Sequence, residues 1–133
     1  MSSLYINLPV SDLPAATAFY TAIWFTLNPD FSNEQAAAMT YDNNLNVMLL
    51  THGFISQFLP AGRMIADSHK TCEVLNAFQF DSKEAVDQIF DKAIAAWGKP
   101  TIPAYDHGFM YGKDFEDLDG HIWEAFWMQS QES

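Results

Sequence analysis

Apolar and polar residues alternate from Leu4 to Val10, with Ile6, Leu8 and Val10 in one row and Tyr5, Asn7 and Pro9 in the other. A period of two predicts a strand. The period then changes: Leu13, Ala16, Phe19, Tyr20 and Ile23 recur at helical spacing behind Asp12, a good N-cap, and Pro14, which fits a first turn. Phe25 to Asn33 shows neither period, and Pro29 interrupts it. Gln35 to Tyr41 and Leu45 to Thr51 read as strands joined at Asp42-Asn43-Asn44, residues that tolerate the positive φ of a hairpin. His52 to Cys72 is expected to be a loop, with one short helix over Phe54 to Leu59.

The same order then returns. Glu73 to Phe80 reads as a strand, and Ser82 caps a helix from Lys83 to about Trp97 with Val86, Ile89, Phe90, Ala93 and Trp97 on one face. Gly98 is the expected C′ residue, and Pro100 bars continuation. Ile102 to Tyr105 and Phe109 to Phe115 are expected to pair around Asp106-His107-Gly108. Asp117-Leu118-Asp119-Gly120 is a turn in which Gly120 supplies a positive φ, and His121 to Trp127 is the last strand. A shift of 70 residues lays Val10 on Phe80, Asp12 on Ser82 and Tyr20 on Phe90.

One residue breaks the pattern. Ile122, Glu124 and Phe126 share a face of the last strand, so a carboxylate stands among apolar neighbours. Buried and unpaired it would be costly. It is therefore paired, protonated, a ligand, or open to a wet cavity.

The acidic turn ending in Gly120, followed by a strand carrying Glu124, resembles the last strand of the vicinal oxygen chelate superfamily: glyoxalase I, bleomycin-resistance proteins and extradiol dioxygenases. The opening Asn7-Leu8-Pro9-Val10-Ser11-Asp12-Leu13, Phe19-Tyr20 and the repeated element order extend the resemblance over nearly the whole chain. It implies an α+β fold, one domain over 1–133, built from βαβββ repeats at about 4–51 and 73–128 joined by a loop at about 52–72. The two halves would form a curled sheet cup with helices outside. Val47, Leu49, Leu75, Ala77, Gln79, Ile122, Glu124 and Phe126 would face the cup, with Tyr5 and Asn7.

The resemblance also implies a divalent metal held by side chains from four strands, with Glu124 at one ligand position. The other positions fall on Tyr5, Leu49 and Leu75, which cannot complete a set of three or more N, O or S donors. The expectation is no metal cofactor. Were one present, Glu124 with Glu73 or His107 would hold it. Glutathione-using relatives carry an Arg where this chain has Pro9, and Arg63 is the only arginine. Glyoxalase I activity on glutathione adducts is not expected.

Composition narrows the classes further. A net charge of −11 with six Lys and Arg opposes binding to nucleic acid or anionic membranes. No apolar run is long enough to span a bilayer, Met1 to Val10 does not read as a signal peptide, and Cys72 is the only cysteine, which together suggest a cytoplasmic protein. Exposed sheet edges and Trp24, placed where Gly is the easier C′ residue, suggest a homodimer.

The first reading is a small-molecule-binding protein of glyoxalase-like fold. Glu124 is its acid, base or anchor, His107 a weaker candidate, and Tyr5, Asn7, Leu49, Leu75, Gln79, Tyr111 and Phe126 are ligand contacts. Two alternatives stand beside it: a divalent-metal lyase, isomerase or dioxygenase, and a resistance protein that sequesters a planar drug.

Overall fold

A computed structural model of the chain describes residues 2–42 and 45–130. The chain divides into two compact units, Met1–Asp67 and Ser68–Ser133. Among the described residues there are three α-helices and two mixed sheets.

The first unit runs β1 (Tyr5–Val10), α1 (Leu13–Ala22), β2 (Thr26–Asn28), a 3-10 turn (Pro29–Phe31), β3 (Ala36–Tyr41), β4 (Leu45–Thr51), α2 (His52–Ile55) and a second 3-10 turn (Ser56–Phe58). Asp12 starts α1 as expected, its Oδ1 accepting from the Ala15 N–H at 3.0 Å. The sheet order is β1-β4-β3-β2, with β1 parallel to β4 and the other pairs antiparallel. The helix crossover makes the parallel pair possible.

Leu8 and Val10 are buried, whereas Tyr5 and Asn7 are exposed, as the alternation in β1 requires. On β4 the expected faces are reversed. Ile6 is level with Val47 and Leu8 with Leu49, so Val47 and Leu49 lie on the buried side, where α1 packs. Asn46 and Met48 share the open face with Tyr5 and Asn7. Alternation gives each strand two faces, yet a one-residue slip in register exchanges them. Part of the segment expected to be irregular is β2 and the first 3-10 turn: Pro29 sits at the turn's N-terminus, where it is tolerated. The turn expected at Asp42-Asn43-Asn44 lies mostly outside the described residues, and Asp42 has a φ of 52°.

The second unit runs β5 (Asn76–Phe80), α3 (Lys83–Ala95), β6 (Lys99–Pro100), β7 (Tyr105–Asp106), β8 (Met110–Glu116) and β9 (Ile122–Met128). Its order, β5-β9-β8-β6, repeats the first sheet, with β7 added against β8. β5 is parallel to β9 and the rest are antiparallel. Phe78, Phe80, Phe115, Trp123 and Ala125 are buried on the side where α3 supplies Val86, Ile89 and Ala93. Two expected strands are shorter. β5 begins at Asn76, leaving Glu73 and Leu75 ahead of it, and the Ile102 to Tyr105 strand is replaced by two-residue pieces on either side of Pro103. Proline has no N–H to give a continuous ladder.

Helices α1 and α3 end alike. Trp24 and Trp97 have φ of 79° and 80°. After α1, the N–H of Trp24 donates to Thr21 O at 3.3 Å and that of Phe25 to Tyr20 O at 3.0 Å. After α3, Trp97 donates to Ile94 O at 3.1 Å and Gly98 to Ala93 O at 2.8 Å. These are Schellman closures. The C′ residue after α3 is therefore Trp97, and Gly98, expected there, is one place beyond it.

Candidate functional site

The second sheet places Glu124 level with Ala77 of β5 on one side and Asp114 of β8 on the other. Residues level with each other share a face, so the open face carries Ala77 and Gln79, Gly112, Asp114 and Glu116, and Ile122, Glu124 and Phe126. Two carboxyls standing directly across a ladder repel each other. Asp114 is 3% exposed, and Glu124 is partly buried. Burial pushes the Asp114 carboxyl up from its ordinary value, opposed by a hydrogen bond from Tyr105. Burial and then the charge of Asp114 push Glu124 up as well.

Tyr105 completes the group. It lies on β7 level with Gly112 and donates from its hydroxyl to Asp114 Oδ1 at 3.0 Å. The approach depends on Gly112: a Cβ there would stand 2.3 Å from Cζ and Oη of the Tyr105 ring. Burial, the bond to Asp114 and the nearby carboxylates raise the phenol well above its usual range. Beyond Tyr105 the aromatic row continues. His107 stacks on Tyr105 and on Phe109, each at 6.2 Å between ring centres.

The acidic turn holds β9 in place. Asp117 Oδ1 accepts from the N–H groups of Asp119 and His121, both at 2.9 Å, and the Asp117 N–H returns to His121 O. Gly120 has the expected positive φ, 87°, and a Cβ there would lie 2.8 Å from the backbone of Ser68. His121 is buried, as the opposite parity to Glu124 requires.

Of the sequence-predicted contacts in this unit, Gln79 and Phe126 share the face of Glu124. Tyr111 does not. It is level with Trp127 on the α3 side, and its hydroxyl donates to Asp87 Oδ1 at 2.5 Å, where Lys113 also pairs at 2.9 Å. Its number differs from that of Asp114 by three, which puts the two on opposite sides of a strand. Leu75 is 54% exposed ahead of β5. His107 is exposed in the turn between β7 and β8, its N–H donating to Met110 O at 2.8 Å. The sequence reading missed Asp114 and Tyr105. The available signal was Gly112, since a glycine within a strand often marks a close approach.

In the first unit, Tyr5 and Asn7 are exposed on the open face, while Leu49 is fully buried on the opposite one and cannot contact a ligand there. That face holds a groove of about 250 Å³ lined by Tyr5, Asn28, Phe31, Thr40, Asn46 and Met48, together with Ala38 and Met39. No charged side chain lines it.

The donor set does not suit the divalent metal that the resemblance implies. Near Glu124, Asp114 has one oxygen engaged by Tyr105, Gln79 is neutral, Glu73 precedes β5, and His107 is held in its aromatic row. Among the described residues no group of three or more His, Cys, Asp and Glu is placed to hold an ion. No helix among them is long and apolar enough to cross a membrane.

Known structures share this architecture. A hypothetical protein from S. aureus superposes with a TM-score of 0.78 at 24% identity, over 95% of this chain and 93% of that one. A glyoxalase/bleomycin resistance protein/dioxygenase family enzyme from Burkholderia phytofirmans PsJN gives 0.74 at 20%, over 93% and 96%. The fosfomycin resistance protein FosX from Listeria monocytogenes gives 0.69 at 22%, over 100% and 96%. No protein-family profile matches the chain, and no curated protein matches its sequence. The chain has the fold of the glyoxalase/bleomycin resistance/dioxygenase proteins, the vicinal oxygen chelate fold.

Proposed function

We propose that this protein binds a small, uncharged, partly apolar molecule on the open face of its first sheet, without a tightly held metal. The observation that carries the reading is the groove on the first sheet. Tyr5, Phe31 and Met48 offer apolar surface there, and Asn28, Thr40 and Asn46 offer hydrogen bonds without a charge. Pockets of mainly apolar lining with a few convergent polar groups are the usual form of small-molecule sites. A chain of charge −11 disfavours an anionic occupant. Separately, on the open face of the second sheet, Glu124 offers a polar anchor with Gln79 and Phe126 beside it. A screen of neutral aromatic, cationic and anionic compounds by titration calorimetry tests this. Neutral compounds are expected to bind, with at least a tenfold loss in Met48→Lys or Tyr5→Ala. Preference for anions, or affinity unmoved by both changes, would overturn the reading. Fosfomycin belongs in the same screen, because one structural neighbour is a fosfomycin resistance protein.

One observation favours an enzyme instead: the paired carboxyls of Asp114 and Glu124, both raised, are suited to hold and move a proton. Turnover of a bound small molecule, lost in Glu124→Gln with binding retained, would select this second reading. A homodimer goes with either. Trp97, Phe31 and Leu4 are 83%, 71% and 67% exposed and offer apolar surface to a second copy. Light scattering at micromolar concentration reads the mass.

A further inference from the structure

We propose that Tyr105 is a positioning residue that makes the two facing carboxyls unequal: it favours the ionised form of Asp114, so that the proton is held by Glu124 and that side chain presents an O–H donor to an acceptor atom, such as a carbonyl oxygen, of a neutral ligand. The last clause alone rests on the binding reading above.

The geometry is asymmetric. Asp114 and Glu124 stand opposite each other on β8 and β9, yet only Asp114 receives a hydrogen bond, from Tyr105 at 3.0 Å. Among the described residues no hydrogen-bond donor reaches the Glu124 carboxyl, and its neighbour on β5 is Ala77. A phenol donating to a carboxylate makes a charge-assisted bond, stronger than one to a neutral acid. The donor therefore favours the negative charge on Asp114, against the burial that raises that carboxyl. A second negative charge directly opposite has no such partner, so Glu124 keeps the proton. The direction of the coupling agrees, since the charge of Asp114 acts to raise Glu124.

The surrounding groups do not reverse this. β5 brings Ala77 and Gln79 to the face, both uncharged, and β8 brings Glu116, level with Ile122, which adds negative charge. β6 brings Lys99, level with Glu116 at the margin. Lys113 is on the opposite face, paired with Asp87. Tyr105 has room to lie across the face because Gly112 has no side chain, and the row through His107 and Phe109 braces its ring.

The test needs no ligand, so its failure is separate from failure of the binding reading. Side-chain carboxyl carbons of Asp114 and Glu124 are followed by NMR across the acid range in the wild type, Tyr105→Phe and Asp114→Asn. Asp114 is expected to titrate below Glu124. Tyr105→Phe should raise the midpoint of Asp114 and narrow or reverse the gap, and Asp114→Asn should lower that of Glu124. Glu124 titrating below or together with Asp114 in the wild type would overturn the proposal. So would an Asp114 midpoint unmoved in Tyr105→Phe. Should Tyr105→Phe not fold, the wild-type order and the Asp114→Asn shift decide by themselves.

Discussion

The two units have one topology and different open faces. The 70-residue shift that aligns β1 with β5 puts Asn7 on Ala77. Met48 is level with Asn7, and Glu124 with Ala77. Ala38 is level with Met48, and Asp114 with Glu124. The same two places in the ladder thus hold Met and Ala in one unit and two carboxyls in the other. Their buried sides remain alike, with Val, Leu and Phe against a helix that ends in a left-handed Trp. The fold requires the helix-facing rows to be apolar, since burial supplies most of its stability. It leaves the open rows free, and there the first unit has a neutral groove and the second an acidic pair.

The largest expected effect comes from the turn that aims β9. Gly120→Ala should destabilise by about 3 kcal/mol, combining a positive φ that disfavours a Cβ with contact against the Ser68 and His69 backbone. Chemical denaturation measures it. The corresponding turn of the first unit carries Asp42 at a φ of 52°, a conformation Asp tolerates. Asp42→Gly should change stability by no more than about 0.5 kcal/mol. Equal effects at the two turns would show that the second is not specially constrained.

The same contrast explains what could be read in advance. Ile6, Leu8 and Val10, or Phe78 and Phe80, declare a buried row by alternation, and Asp12 and Ser82 declare helix starts because a cap is a local interaction. Glu124 stood out because a carboxyl among apolar neighbours is locally inconsistent. Leu49 was misplaced because the register between β1 and β4 depends on the crossover and not on either strand alone. Asp114 went unnoticed because its partner is Tyr105, reached only when β7 folds back over Gly112. Trp97 was passed over for Gly98 because a bulky residue at positive φ runs against local preference.

The next prediction makes the second face resemble the first. Glu124→Met copies Met48, and Asp114→Asn removes the second charge while leaving an acceptor for Tyr105. Both carboxyls are raised in the folded chain. The native state then binds their protons more tightly than the unfolded chain does. Stability from these groups is present at low pH and is lost as pH rises through the folded values. The double variant should therefore match the wild type in acid and exceed it at neutral pH by about 1 kcal/mol, the scale of an opposed like-charge pair on a sheet. Thermal unfolding across pH reads the difference. A variant less stable than the wild type at pH 7 would mean that the carboxyls are held in the native protein by a cation, or by a donor besides Tyr105.

The smallest effect tests the feature the units share. A left-handed conformation costs an L-residue about 1–2 kcal/mol, and glycine avoids it, at the expense of about 0.5–1 kcal/mol of extra freedom in the unfolded chain. Trp97 is 83% exposed, so replacing it loses little packing. Trp97→Gly should stabilise by about 0.5 kcal/mol, the remainder of those two terms. Trp24 has the same φ yet is partly buried, and its ring makes contacts within its surroundings. In Trp24→Gly the lost packing should cancel the gain or exceed it. Denaturation midpoints of the two variants, measured together, separate backbone strain from burial at two ends of identical geometry. Stabilisation in both would assign Trp24 no packing role. Destabilisation in Trp97→Gly, accompanied by a change in mass by light scattering, would instead assign its exposed ring to contact between copies of the chain.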